Sequence, residues 1–299
     1  FKQKTAYEIR LSLVGSEMCI RDRLIGVFKP DKLGHLVSQP SASRECEVTC
    51  DFRPSVGILR FSFDASATQR VEFKQLPTQE LSKPPVYFPT RELLTLGPEF
   101  PALYQSYYLG FDETWHDTAM RLALPLAKGV VLDSIRRHLP PLEEAMNGKL
   151  DVDETGRFYL QSAIGRLEIH LVAEGQRKVA MLARLISNGS LSKGGALFWD
   201  EPEANLNPKL IKSIAKSILH LCQSGIQVFV ATHSLFLMRE FDILLKGTDF
   251  ADVPARYFGL HRAGAKVTVE QSDSIEEIGA ISSLDEELEQ SGRYLESSQ

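Results

Sequence analysis

Four apolar residues run into two adjacent acids in ALFWDEPEANLNP, residues 196–208. Carboxylates placed so can hold a divalent cation and direct a water. An open α/β sheet collects its ligands at the carboxyl ends of its strands, and Asp200 and Glu201 stand at such an end. Asp200 is expected to hold magnesium, usually through water, and Glu201 to take a proton from the attacking water or orient it. Neighbouring side chains diverge, so one can face the metal and the other the group under attack. A strand ending in a solvated acidic turn gives the same short pattern; the PEANLNP that follows separates the two.

Further on, VFVATHS ends a second apolar run in Thr232, His233 and Ser234. A histidine at that position can hydrogen-bond a γ-phosphate. Alone it is more often structural, but here it follows the acids by one helix and one strand. The third element is VAEGQRK, residues 172–178, at a helix start, where unpaired backbone N–H groups and the helix dipole favour an anion. Taken singly it equals an ordinary glycine turn, so the order of the three pieces carries the weight. Nowhere among the 299 residues is there a G-x-x-x-x-G-K-[ST], the loop that cradles phosphates.

These residues need a scaffold. Apolar runs at 196–199 and 226–231 separated by one helix predict a parallel pair. The helix 208–221 opens on Pro208, with Leu210, Ile214, Ile218 and Leu221 as its buried stripe. A helix over 173–187 has Val179, Leu182 and Ile186 inward and Arg177, Lys178 and Arg184 outward. Earlier, CEVTCDF, GILRFSFDA and RVEFKQL read as an antiparallel meander, with Leu59, Phe61 and Phe63 alternating against Arg60, Ser62 and Asp64. PPVYFPTRELLTL gives a strand then a helix, with Thr90 as N-cap. Residues 112–146 read as mostly helical, with Trp115, Ala119, Leu122 and Leu126 on one face and Pro140 and Pro141 as a break. Two strands lie within 156–172, two more near ARYFGLH and KVTVEQ, and the tail is acidic and amphipathic.

Composition narrows the class. A hydrophobic fraction of 43% and a charged fraction of 24% describe an ordinary globular chain, and a net charge of −5 argues against a generally nucleic-acid-coating surface. No run reaches the length of a membrane span and no secretory signal is visible. Cys19, Cys46, Cys50 and Cys222 form no C-x-x-C pair; Cys46 and Cys50 sit in a strand-like run and read as buried reduced thiols rather than a metal site or disulfide, which implies the cytoplasm. Residues 1–23, FKQKTAYEIRLSLVGSEMCIRDR, resemble two sequencing-library oligonucleotides translated in one frame. They are therefore expected to be an adaptor-derived artefact, with the natural frame entered near Leu24 and the phosphate loop lost upstream.

In the order helix-start glycine, acid pair, polar loop and terminal histidine, residues 172–234 resemble the ATPase heads of the ABC superfamily, in the branch of SMC, RecF and OLD-like AAA-type ATP-binding proteins. The resemblance implies a P-loop NTPase-like α/β fold with a mostly parallel core sheet, an antiparallel β subdomain and a helical lobe. It divides the chain into 24–100, the remnant of an N-terminal ATPase lobe; 101–190, a helical lobe ending in the signature-like helix; and 191–299, the Walker B, D-loop and switch-histidine core with its C-terminal edge. Ala173–Lys178 then corresponds to the signature motif, Leu197–Glu201 to Walker B, Ala204–Asn207 to the D-loop and His233 to the switch histidine. ATP and Mg²⁺ are the implied cofactors. Asp200 is the metal residue, Glu201 and His233 are catalytic, and Ala173, Glu174, Gly175, Gln176, Asn205 and Asn207 contact nucleotide.

In this family two heads sandwich ATP, implying a homodimer that acts as a switch on a partner protein or DNA. Ala173 stands where the family has serine and Glu174 where it has its first glycine. The lost hydroxyl contact is worth ~1–3 kcal/mol if buried. Two other readings follow: a module that binds ATP without turnover, and the ATPase part of a nuclease system whose active subunit is separate. Residues 235–299 contain no D-x-D, so no nuclease centre is expected within the chain. Without a phosphate loop, the 299 residues themselves are expected to be inactive.

Overall fold

The computed structural model describes residues 17–37, 45–52, 56–79, 83–107, 109–129, 138–264 and 266–297. Residues 1–16, most of the stretch read as adaptor-derived, lie outside these. The rest of that stretch forms the first half of helix α1, Glu17–Phe28. There Ile20 is buried, and Arg23 pairs with Glu113 at 2.7 Å and with Asp117.

Three short strands make the parallel sheet that carries the site: β4 (Val86–Phe88), β8 (Ala196–Asp200) and β9 (Gln227–Ala231), with β8 in the middle. Leu197, Phe198 and Trp199 are wholly buried, which is why this run is continuously apolar rather than alternating. Strand β9 differs from the fully buried strand that its sequence suggests. Among the described residues it is an edge strand, and Val228, Phe229 and Val230 are only half-buried.

Helix α5 (Glu174–Ser187) and helix α6 (Pro208–Gln223) flank the sheet. Leu210, Ile214, Ile218 and Leu221 form the buried stripe of α6 as its periodicity predicts. Helix α5 departs from its pattern. Val179, Leu182 and Ile186 are buried as expected, but so are Lys178 and Arg184. The Arg184 guanidinium donates to the carbonyls of Leu122 and Leu124 at 2.9 and 2.6 Å, which satisfies it inside the protein.

A second sheet, β1 (Glu45–Asp51), β2 (Ile58–Asp64) and β3 (Glu72–Gln75), is the antiparallel meander, over its own core of Leu59, Phe61 and Phe63. Its alternation fails at one point, for Ser62 is buried at 1% exposure. A third sheet, again antiparallel, β5 (Gly148–Val152), β6 (Phe158–Ser162) and β7 (Gly165–Glu168), lies within the region read as a helical lobe. After α2, Phe100–Ser106, the helical pattern over 112–146 resolves among the described residues into α3, Glu113–Leu122, and α4, Leu139–Ala145; its part over 130–137 lies outside them. Leu126 lies past the end of α3 and is exposed. Pro140 and Pro141 start α4 instead of breaking the lobe, since N–H groups in a helix's first turn have no intrahelical acceptor and proline there forfeits no bond. Beyond α7 (Leu235–Lys246) come the hairpin β10 (Tyr257–Ala263) and β11 (Lys266–Ser272), then a terminal helix, Ser282–Ser297. No helix among the described residues is long and apolar enough to cross a membrane.

Candidate functional site

Strands β8 and β9 run in register, Asp200 opposite Ala231, so both deliver their last residues at one level. The Glu201 N–H donates to the Ala231 carbonyl at 2.9 Å, one residue beyond the strand. The chain then turns through a left-handed backbone at Glu201, φ 47°, an unusual conformation for a residue with a side chain. This turn separates the two acids. Asp200 continues the line of the strand, and its Oδ2 lies 3.3 Å from the Thr90 hydroxyl. The Glu201 carboxylate swings toward the end of β9, where Oε1 lies 3.1 Å from His233 Nδ1. Both partners face solvent, the histidine side chain being 75% exposed, so an incoming ligand can reach them.

Thr90 is no helix cap. The next regular turn is the 3₁₀ segment Leu94–Leu96, and its N–H groups at Leu94 and Thr95 bond to the buried Glu92. Because β4 pairs with β8 up to Phe88 opposite Trp199, the residues just after Phe88 arrive beside Asp200. Phe88 and Trp199 stack at 4.3 Å between ring centroids beneath the acids.

The other residues of THS each have a task. The Thr232 hydroxyl donates to Glu203 Oε1 at 2.5 Å, and the Ser234 hydroxyl caps α7 by accepting from the Leu237 N–H. The turn after the acids carries internal bonds as well, from the Ala204 N–H to the Glu201 carbonyl and from the Leu206 N–H to the Glu203 carbonyl.

Against this turn lies the N-terminal half of α5. Ala173 is its exposed N-cap residue and gives no side-chain cap, so the first N–H groups have no hydroxyl or carboxylate from that position. Glu174 Oε1 accepts from the Asn205 amide at 2.9 Å. Gly175 is buried, and a Cβ there would stand 3.1 Å from both Leu206 and Leu210 side chains. Gln176 turns away and donates to the Met146 carbonyl, while Asn207 caps α6 by accepting from the Leu210 N–H at 3.0 Å. The structure thus joins Asp200 to Thr90, Glu201 to His233, and Glu174 and Gly175 to the turn around Asn205; the side chains of Gln176 and Asn207 are engaged by their own chain.

Lys178, placed outward by its periodicity, is 1% exposed. Its ammonium donates to the carbonyls of Glu201 and Ala204 at 2.9 and 3.0 Å. Desolvation pulls its pKa down to about 8, while Glu203, Glu174, Glu201 and Asp200 act against the fall. Thr90, Glu203 and Lys178 are the site residues that motif reasoning passes over. The only local signal for Lys178 is its place as the second of two adjacent cations, directly before the mostly apolar run VAMLARLI.

The donor set is hard oxygen, which suits magnesium. Among the described residues no three His, Cys, Asp or Glu side chains converge on one point, so such an ion fits here only if phosphate oxygens and water complete its shell.

A family model described as "AAA domain, putative AbiEii toxin, Type IV TA system" matches residues 80–239, just over half of the chain. No curated protein sequence matches. Among solved structures, the chain is similar to an SMC head bound to the C-winged helix domain of ScpA, with 13% identity, 92% of this chain and 87% of that chain covered, and a TM-score of 0.55. An SMC head with an extended coiled coil, bound to the C-terminal domain of ScpA from Pyrococcus furiosus, aligns at 10% identity over 99% and 90% of the two chains, with a TM-score of 0.49. An SMC head domain from Thermotoga maritima aligns at 9% identity over 86% and 87%, with a TM-score of 0.44. At these identities the likeness is one of fold, that of P-loop ATPase heads.

Proposed function

The chain belongs to the family of that AAA domain, and from this premise we propose that it is the catalytic part of an ATPase head that binds and hydrolyses Mg-ATP between two copies. The observation that carries the reading is the Glu201–His233 contact at the carboxyl ends of two parallel strands, with Asp200 one residue before it. Asp200, supported by the Thr90 hydroxyl, is suited to hold magnesium through water. The ion, when bound, supplies neutralisation of charge on the phosphoryl oxygens.

Glu201 orients the attacking water and takes its proton. The left-handed turn presents its carboxylate to solvent instead of to the sheet. His233 holds one carboxylate oxygen and leaves the other for water; its exposed ring can also touch a γ-phosphate. The uncapped start of α5 presents backbone N–H groups to an anion, here the phosphate held by a second copy. Closure of two copies over ATP, and opening after hydrolysis, would drive a switch on a partner protein or DNA. A partner protein has a parallel in the SMC head that was solved with the ScpA winged helix.

One observation favours a second reading, ATP as a binding element without turnover. Glu174 puts a carboxylate at the helix start, where the resemblance expects glycine, and ties it to Asn205.

The test is turnover in a form furnished with a G-x-x-x-x-G-K-[ST] loop, since the 299 residues contain none and are expected to bind ATP weakly. Glu201→Gln should abolish hydrolysis and trap ATP in a dimer. Hydrolysis at the parent rate in that variant would sink the assignment of Glu201, and nucleotide binding without turnover in the parent would establish the second reading.

A further inference from the structure

Lys178 stands apart from every other cation near the site. It is a lysine on the inner face of α5, 1% exposed, and among the described residues no carboxylate oxygen lies within ion-pair distance of it. A buried ammonium is costly unless its protons are placed. Two of them go to backbone carbonyls of a single turn, those of Glu201 and Ala204. The Glu201 carbonyl accepts twice, from Lys178 and from the Ala204 N–H at 3.1 Å. The backbone of Glu201 is therefore held on both sides. Its N–H is pinned to Ala231 and its carbonyl to α5, with the left-handed residue between.

We propose that Lys178 is a positioning residue that locks the Glu201–Ala204 turn to helix α5, so that the aim of the Glu201 carboxylate and the placement of the helix start change together. Two neighbouring contacts act along the same line: Glu174 to the Asn205 amide, and Gly175 against Leu206 and Leu210. Residues 174, 175 and 178 share one face of the helix, and all three meet the turn. The inference rests on the proposed function for its consequence. A displacement of α5 by a second copy moves the backbone of Glu201 in the same chain, which couples the two nucleotide sites of a dimer through Lys178.

The lock itself is tested without nucleotide, on the 299-residue chain, by amide hydrogen exchange of Lys178→Met and Lys178→Ala. The informative amides are those of Glu201, Ala204 and Leu206, which are bonded within or beside the turn, with Leu197–Trp199 of β8 as the reference. In both variants the turn amides should exchange at least tenfold faster while the reference amides keep their rates. Adding propylammonium to Lys178→Ala should restore the turn, because the small cation can occupy the vacated channel and donate to the same carbonyls; a side chain that merely fills space would not respond. Unchanged turn exchange would overturn the proposal. So would loss of protection across Leu197–Trp199 in both variants, since Lys178 would then be a general packing residue. Failure of hydrolysis in a form carrying a phosphate loop would remove the coupling of two ATP sites and leave the exchange result standing, so the two ideas fail separately.

Discussion

Glu201 and His233 meet at 3.1 Å although a turn, the whole of helix α6 and strand β9 lie between them in the sequence. The contact follows from parallel pairing in register, which ends β8 and β9 at the same height, and from the left-handed turn that swings the glutamate sideways. Both partners are solvated, so the pair contributes about 0–1 kcal/mol to stability, and its value lies in direction.

The backbone at Glu201 gives the first prediction. A left-handed residue with a Cβ costs ~1–2 kcal/mol, and glycine removes that cost while adding ~0.5–1 kcal/mol of unfolded-state entropy. Glu201→Gly should therefore be as stable as the parent or up to about 1 kcal/mol more stable in urea titration, and inactive wherever the parent hydrolyses ATP. A clear loss of stability would show that the glutamate side chain supports the turn.

At Gly175 the opposite sign is expected. Alanine gains up to about 1 kcal/mol in helix propensity, but its methyl group would press on Leu206, Leu210 and the Asn205 carbonyl at 3.1–3.2 Å. Overpacking of this kind costs ~1–3 kcal/mol, so Gly175→Ala should lose about 1 kcal/mol net. Thermal unfolding of the variant beside its parent measures it, and a gain would mean that the turn yields freely.

Stability should also depend on pH through Lys178. Its folded-state pKa of about 8 lies below the ordinary 10.5. Between those values the unfolded chain holds a proton that the folded chain has released, so stability rises with pH across this window. The penalty is fully present below the lower value and amounts to something on the order of 3 kcal/mol. Denaturation of the parent and of Lys178→Met, compared from about pH 7 to about pH 10, should give curves that diverge as the parent gains stability. Parallel curves would refute the shift.

Cys222 should be nearly inert. Burial pushes its thiol up to about 11, leaving roughly 100-fold less thiolate at about pH 8 than an ordinary cysteine carries. Reaction with Ellman's reagent should be slow at this site in the folded protein and fast in denaturant. Rapid labelling of Cys222 in the native state would show that α6 opens readily.

Much of the site could be read from the residues because its signals are local. The apolar run into Asp200 and Glu201, the proline that opens α6 and the polar end of VFVATHS all announce themselves within a few positions. The errors fall where partners are remote. Lys178 and Arg184 look outward on a helical wheel, because periodicity assigns cations to solvent. Yet α5 is covered on several sides, and the carbonyls that satisfy those cations belong to a later turn and to the end of α3. Thr90 reads as a cap by residue type and becomes a neighbour of Asp200 only through strand pairing. Strand β9 is as apolar as a central strand, and nothing in its residues shows how many neighbours it has.

Four carboxylates, Glu174, Asp200, Glu201 and Glu203, surround a single buried ammonium that already donates to two carbonyls. The local field therefore opposes any polyanion that approaches. Raising the ionic strength should hasten the encounter with a nucleotide rather than slow it, the reverse of what a basic phosphate-steering cleft would show. A divalent cation arriving with the nucleotide would ease its entry as well as serve the chemistry, and magnesium concentration would set how often the site is visited at all.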